Sequence, residues 1–420
     1  MKNWLKLHRV GGIIAAPPSK SVAQRMLALS LLSPGQVELR GLGFADDVLA
    51  AKRIISTLGA SLQEGKSGTL FVHSPGQVQG NCQVDCGESG LALRMFAPIA
   101  ALATAPVSLL ARGGLSRRPM DMLKDLQHFG VRVELNGSLA PLVVTGPMHS
   151  GTVRIDGQRT SQLITGLIMA LSQCQGDSCL IFEGEQLASR PYVELTLECM
   201  AQFALTAELT ASQCLIPGNQ KARTPASVNV EGDWSGAAFW LVAGAIAGPL
   251  TMTGLRRNST QADTAICTAL QSAGAKLDWQ GDALRVSPGV LRPFQFDAID
   301  CPDLFPPLLV LAAACPGRSQ IVGVSRLAIK ECDRGGSLVD MLRALGGIAG
   351  MDSGENVMWV EGGHALRKAL VSSQGDHRMV MTAALLSLLS REGLLLDELS
   401  SVAKSYPDFF NVFKEMGGDL

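Results

Sequence analysis

Thr57-Leu58-Gly59-Ala60-Ser61-Leu62 reads as the last turn of a helix, a left-handed stop at glycine and the first residues of an alternating strand. The same reading recurs at His128-Phe129-Gly130-Val131-Arg132-Val133, Gln202-Phe203-Ala204-Leu205-Thr206-Ala207 and Ser272-Ala273-Gly274-Ala275-Lys276-Leu277. A fifth copy is Ala344-Leu345-Gly346-Gly347-Ile348, and a truncated sixth is Glu415-Met416-Gly417-Gly418. The stop residues 59, 130, 204, 274, 346 and 417 lie 71, 74, 70, 72 and 71 apart. A second series, Ser19, Gly87, Thr160, Gly232, Cys301 and Asp376, has intervals of 68, 73, 72, 69 and 75. Each of its members precedes an apolar stretch with helical character, for example 22–32, 91–103 and 162–172. One unit therefore holds two helices and several strands in about 70 residues, longer than the usual solenoid repeat.

Length alone, 420 residues, predicts two or three domains. It also equals six units of 70. With 47% hydrophobic residues, 17% charged and a mean hydropathy of +0.22, the chain is not a disordered one. Nor do its apolar stretches suit a membrane. The stretch 97–111 contains Pro98, Thr104, Pro106 and Ser108, and 239–250 is too short to span a bilayer. Met1-Lys2-Asn3-Trp4-Leu5-Lys6 lacks the apolar run of a secretion signal. The net charge, 36 − 37 = −1, excludes a broad basic surface for nucleic acid but leaves room for a local cationic pocket. The ten cysteines sit mostly alone, with Cys82/Cys86 and Cys174/Cys179 the closest pairs, and there is no C-x-x-C. Reduced, buried thiols in a cytoplasmic protein are expected, without a metal site.

Chemistry-bearing residues collect at the helix starts. They are Pro18-Ser19-Lys20-Ser21 with Arg25, Gly87-Glu88-Ser89-Gly90 with Arg94, Arg117-Arg118-Pro119 and Thr160-Ser161-Gln162. Later come Lys330-Glu331-Cys332-Asp333-Arg334, Asp376-His377-Arg378-Met379 and Lys404-Ser405-Tyr406-Pro407-Asp408. Free N–H groups and the helix dipole favour anions at such positions. Arg suits bidentate binding of carboxylate or phosphate, and Lys acts as a mobile point charge. Any one of these motifs alone reads best as an ordinary cap with a surface pair. Their joint occurrence in register with the repeat points to small polyanions.

Taken in this order, with Glu231-Gly232-Asp233, these motifs resemble the 3-phosphoshikimate 1-carboxyvinyltransferase (EPSP synthase) family from Pro18 to Phe410. The resemblance implies an α/β fold, a two-domain inside-out α/β barrel of six βαβαββ repeats, three per domain. One lobe would be 19–229 and the other 1–18 with 230–420, with hinges near 16–19 and 229–232. It implies transfer of the enolpyruvyl group of phosphoenolpyruvate to the 5-hydroxyl of shikimate 3-phosphate by addition and elimination. It implies no cofactor, no metal, no nucleic acid or membrane partner, and a cytoplasmic monomer. A cationic cleft between the lobes, closing over its anions, is the expected site.

By motif match, Lys20, Gly90, Arg118, Gln162, Arg334, Arg378 and Lys404 should hold phosphoenolpyruvate. Shikimate 3-phosphate should meet Lys20, Ser21, Arg25, Thr160, Ser161, Gln162, Ser189, Asp303 and Lys330. Arg94 either joins the phosphoenolpyruvate side or supports the loop through a salt bridge. Asp303 is the expected base for the 5-hydroxyl, and Glu331 the expected proton donor to C3, although its cationic neighbours should lower its pKa. Lys20 or Lys404 could also move protons. Pro18, Glu88, Leu91 and Arg326 depart from the commonest family pattern, and Arg326 is left out of the site. An acidic Glu88 beside an anion site is tolerable if it orients a neighbouring Arg. The sister transferase acting on UDP-N-acetylglucosamine typically has Lys-Asn at the first helix and a loop cysteine, whereas here the pair is Lys20-Ser21 and 111–118 has no cysteine. An RNA-end ligase and a dead scaffold are the more distant alternatives, opposed by the net charge and by retention of Asp303, Glu331 and the loop cations.

Overall fold

A computed structural model describes residues 2–184, 187–328 and 330–420. Its strands form six separate four-stranded sheets that share one connection pattern. In the second unit, Cys82–Asp85 runs parallel to Val107–Leu110, which pairs antiparallel with Leu139–Thr145, which closes on Arg132–Asn136. A helix fills the crossover between the two parallel strands, and a second, shorter turn of helix (Asp121–Phe129) precedes the hairpin. Parallel strands need such a crossover, whereas the hairpin closes locally. The order is β-α-β-α-β-β.

Three of the six sheets borrow a strand from a distant part of the chain. Ser227–Asn229 pairs in parallel with Gly35–Arg40, and Gly12–Ala15 with Leu250–Thr253. Asn3–Leu7 runs antiparallel to both Leu394–Leu396 and Gly418–Asp419, so the start of the chain completes the sixth unit. By these exchanges the chain divides into two compact units, Pro18–Val230 and Glu231–Leu420 with the segment ending at Pro17.

The crossover helices are labelled α1 (Lys20–Leu32), α2 (Gly90–Ala100), α3 (Ser161–Leu171), α4 (Trp234–Ala247), α5 (Phe305–Ala314) and α6 (His377–Leu386). They are the core. Every residue from Trp234 to Ala245 in α4 is buried, as is every residue from Phe305 to Ala313 in α5. A helix that is apolar all round must be enclosed on all sides. Small residues let these helices approach. A Cβ on Gly166 of α3 would overlap the Met95 carbonyl of α2. The high hydrophobic fraction is thus spent on six enclosed helices. Among the described residues no helix is long and apolar enough to cross a membrane.

The stop residues of the repeat adopt the same backbone. Gly59, Gly130, Gly274, Gly346 and Gly417 all have positive φ, and so does Ala204, at 58°. The helix starts differ slightly from the apolar runs, because polar caps come first. The Ser19 hydroxyl accepts from Val22 N at 3.4 Å and the Thr160 hydroxyl from Gln162 N at 3.1 Å, so α1 begins at Lys20 and α3 at Ser161. At the other end, α2 stops at Ala100, three residues short of the apolar run, two residues after Pro98 removes a backbone donor. Cys301 opens a 3-10 turn (Pro302–Leu304) ahead of α5.

Gly274 and Ala204 occupy equivalent stops with different tolerances. At Gly274 (φ 94°) a Cβ would overlap the Val290 carbonyl, so Gly274→Ala should destabilise the protein by about 2 kcal/mol or more in denaturant melts. Ala204 already carries a Cβ there, and Ala204→Gly should change stability by less than about 1 kcal/mol. Equal effects at the two positions would contradict the shared-stop reading.

Candidate active site

In the unit Pro18–Val230 the N-termini of α1, α2 and α3 are tied together by side chains. The Ser89 hydroxyl, which caps α2, donates to Gln24 Oε1 of α1 at 3.2 Å. Arg94 Nη1 of α2 donates to Gln162 Oε1 of α3 at 2.8 Å. Lys20, at the first position of α1, has its Nζ 3.0 Å from Asp47 Oδ2. A Cβ on Gly90 would lie 3.0 Å from Arg94 Nη1 and 3.4 Å from Arg118 Nη1, so two guanidinium groups stand over the glycine backbone at the head of α2. The start of α2 and the Arg94 and Arg118 guanidinium groups thus meet at Gly90, where the helix dipole adds to their charge.

Arg25 lies one turn deeper and is only 1% exposed. Its Nε donates to Thr196 Oγ1, its Nη1 to the Ser21 carbonyl, and its Nη2 to Thr165 Oγ1 and the Tyr192 carbonyl. Four of its five donors are thereby used inside the protein, leaving at most one for a ligand. Arg25 therefore braces Ser21 and the start of the Arg190–Ala201 helix. Ser189 precedes that helix with a φ of 53°, and with Ser161 it is buried.

In the other unit the arrangement is an ion network centred on Arg334, itself 1% exposed. Its Nε donates to Asp376 Oδ2 at 2.9 Å, Nη1 to Asp303 Oδ1 at 2.9 Å and Nη2 to Glu331 Oε2 at 2.6 Å. Arg378 Nη2 reaches Asp303 Oδ2 at 2.9 Å, and Lys330 Nζ lies 3.5 Å from Asp303 Oδ1. Lys404 Nζ is 3.2 Å from Glu331 Oε1. Asp376 also caps α6 by accepting from Arg378 N at 2.8 Å. The four cations Arg334, Arg378, Lys330 and Lys404 are thus interleaved with the three carboxylates Asp303, Glu331 and Asp376.

The electrostatics follow from these contacts. Burial alone would raise the Asp303 carboxyl, but Arg378, Lys330 and Arg334 outweigh it and hold the group well below the carboxylate range. Burial works against the charge on Arg334 and Arg378, but Asp376, Glu331 and Asp303 outweigh it at Arg334, as Asp303, Asp263 and Asp233 do at Arg378, and both stay protonated. Lys330 goes the other way, because burial lowers its pKa more than Asp303 raises it.

The fifteen residues expected from the sequence thus divide between the two units. Lys20, Ser21, Arg25, Gly90, Arg118, Thr160, Ser161, Gln162 and Ser189 belong to one. Asp303, Lys330, Glu331, Arg334, Arg378 and Lys404 belong to the other. Sequence reasoning missed three carboxylates. Asp47 holds Lys20, and its only signal was the Asp46-Asp47 doublet opening the Asp46–Thr57 helix. Asp376 was read as a helix marker, although it also anchors Arg334. Asp263 gave no signal. It is 1% exposed, accepts from the Ser235 hydroxyl through Oδ2, and is close enough to Asp303 and Arg378 to feel both charges.

The family model for EPSP synthase (3-phosphoshikimate 1-carboxyvinyltransferase) matches residues 6–413. The chain belongs to the EPSP synthase family. A 3-phosphoshikimate 1-carboxyvinyltransferase of Clostridium novyi is 33% identical, covering 97% of this chain and 96% of that protein. One from Clostridium beijerinckii is 32% identical, covering 98% and 96%. Among solved structures, an EPSP synthase from Acinetobacter baumannii superposes with a TM-score of 0.83 at 21% identity, covering all of both chains. The enolpyruvyl transferase NikO from Streptomyces tendae gives 0.77 at 17%, covering 99% and 98%. These two likenesses concern the fold, a two-domain α/β architecture. The family's enzymes move the enolpyruvyl group of phosphoenolpyruvate onto shikimate 3-phosphate in the shikimate pathway, and this chain is an enzyme of that kind.

Asp263 gives the network a pH-dependent element. Burial, with the Asp303 charge adding to it and Arg378 opposing, pushes its carboxyl up to about 7 from an ordinary 3.8. An acid raised on folding contributes stability that is complete below its unfolded value and is lost as pH rises through its folded value. Relative to Asp263→Asn, the wild-type Tm should therefore fall between about pH 4 and about pH 7 and level off above. Parallel Tm curves for the two proteins across that range would contradict the assignment.

Proposed function

We propose that the two clusters divide the family's reaction between them. Lys20, Gly90, Arg118 and Gln162 in one unit, with Arg334, Arg378 and Lys404 in the other, hold phosphoenolpyruvate. Lys20, Ser21, Arg25, Thr160, Ser161, Gln162 and Ser189, with Asp303 and Lys330, hold shikimate 3-phosphate. The enzyme works in the cytoplasm as a monomer.

The chemistry needs both sets. The 5-hydroxyl oxygen attacks C2 of phosphoenolpyruvate while its proton passes to a base, and C3 gains a proton. In the tetrahedral intermediate C3 then gives a proton back, the double bond re-forms and the C2–O bond to phosphate breaks. Charge builds on phosphate and carboxylate oxygens throughout, so cations fixed before binding stabilise the transition states at little reorganisation cost. The carboxylates of the Arg334 network do that fixing.

The observation that supports the assignment of Asp303 most strongly is its position under Arg334, Arg378 and Lys330 at once. In the resting protein those cations make it a poor base. A substrate anion bound beside these fixed cations offsets part of their field, and the Asp303 pKa rises toward the range where it can accept a proton. Glu331, paired with Arg334 and Lys404, is the proton donor to C3 in this reading. Lys20 and Lys404 are the further candidates for moving protons.

The assay is phosphate release from phosphoenolpyruvate and shikimate 3-phosphate. Asp303→Ala should lower kcat by at least about a thousandfold in a folded protein, the scale of general base catalysis combined with lost positioning. Near-normal turnover would remove Asp303 as base. Release with UDP-N-acetylglucosamine in place of shikimate 3-phosphate would move the substrate to the sister transferases.

Gly90 supplies a separate check. A methyl group there would press on Arg94 and Arg118 within 3.0 to 3.4 Å and occupy the approach to the helix start. Gly90→Ala should therefore raise KM for phosphoenolpyruvate about tenfold or more, with a smaller change in KM for shikimate 3-phosphate. An equal rise in both constants would count against this placement of phosphoenolpyruvate.

A further inference from the structure

Gly87-Glu88-Ser89-Gly90 places an acidic side chain two residues before the glycine that faces Arg94 and Arg118. A free carboxylate there would repel an anionic substrate. The structure turns it elsewhere, to the backbone rather than to a guanidinium group. Glu88 Oε2 accepts from Gly114 N at 3.2 Å. Gly113 has a φ of 48°, and a Cβ on it would overlap the Glu88 carboxylate, so the loop passes the side chain with no room to spare.

Other contacts join the same two segments. Arg112 N donates to the Gly87 carbonyl at 2.8 Å, and Arg112 Nη2 lies 2.7 Å from Asp85 Oδ2. Asp85 in turn accepts from Gly87 N at 2.9 Å. The Arg112 side chain is 71% exposed, so its ion pair contributes little. The Glu88 bond is exposed too, but it is charge-assisted, reaches the backbone, and acts two residues further along the loop. From Gly114 the chain turns through buried Leu115, whose carbonyl accepts from Arg118 N at 3.1 Å. A fixed path runs from Glu88 to Arg118 and back to Gly90.

We propose that Glu88 is a positioning residue: its carboxylate clips the 112–118 loop to the turn before α2 and so holds the Arg118 guanidinium over Gly90. The inference rests on the assignment of phosphoenolpyruvate to Gly90 and Arg118. The carboxylate is directed to a backbone donor of the 112–118 loop, and Gly113 is the residue that makes space for it. An amide oxygen at the same place accepts the same hydrogen bond, so the role depends on the acceptor and not on the negative charge.

The test measures kcat and the two KM values for full-length wild type, Glu88→Ala, Glu88→Gln, Gly113→Ala, the double variant Glu88→Ala/Gly113→Ala, and Arg118→Ala. Glu88→Ala should raise KM for phosphoenolpyruvate roughly tenfold, the scale of one charge-assisted hydrogen bond, with kcat and KM for shikimate 3-phosphate within about threefold. Glu88→Gln should stay within about threefold of wild type throughout. Gly113→Ala should resemble Glu88→Ala, and the double variant should be no worse than the poorer single one, because both changes break one contact. An unchanged KM in Glu88→Ala beside a raised KM in Arg118→Ala would overturn the proposal, as would additive effects in the double variant. An unchanged KM in Arg118→Ala would remove the assignment of phosphoenolpyruvate to this place, and the proposal with it.

Discussion

Arg334, buried with three carboxylates on its three guanidinium nitrogens, is the interaction on which the site depends. Taking a guanidinium and three carboxylates out of water is costly, and mutual attraction offsets that cost only when the geometry is good. Here each nitrogen finds an oxygen at 2.6 to 2.9 Å. The contacts tie the α5, α6 and 330–334 segments into one rigid charged cluster before any substrate arrives. Such a cluster is poor evidence of stability and good evidence of preorganisation. The protein stores cations in a form that anionic ligands can use.

The other unit answers the same problem with less charge. Lys20 is paired with Asp47, and Arg94 donates to the neutral amide of Gln162. Three helix starts add partial positive charge without any side chain. This unit offers hydroxyls, amides and backbone N–H groups, which suit a phosphate and a polyol. The other offers guanidinium groups and carboxylates, which suit charge neutralisation and proton transfer. The near-zero net charge of the chain is an average that conceals these two designs.

Much of this was legible because it is local. A helix stop at glycine, a hydroxyl cap and a helix start carrying Lys or Arg are written within a few residues, and the repeat made six of them comparable. The stop at Ala204 was found by register, since alanine is not a residue that announces a positive φ. The pairings were not legible. Asp47 lies 27 residues from Lys20, Asp263 lies 40 from Asp303, and the Glu88 acceptor meets a donor 26 residues away. Such partners are set by how helices pack, which local pattern does not encode. The borrowed strands are a second example, because nothing in Asn3–Leu7 says that it will close a sheet with Gly418–Asp419.

In the mechanism proposed above, substrate anions offset the field of the fixed cations around Asp303 and so make it a base. The most direct measurement follows the Asp303 carboxyl by 13C NMR in protein labelled at aspartate, the signal assigned by its loss in Asp303→Asn. Titrations compare the free protein with protein saturated by shikimate 3-phosphate and phospholactate, a saturated analogue that cannot react. The account predicts a carboxyl pKa well below the ordinary 3.8 in the free protein and a rise when both anions bind. A pKa that stays put or falls on binding would contradict it.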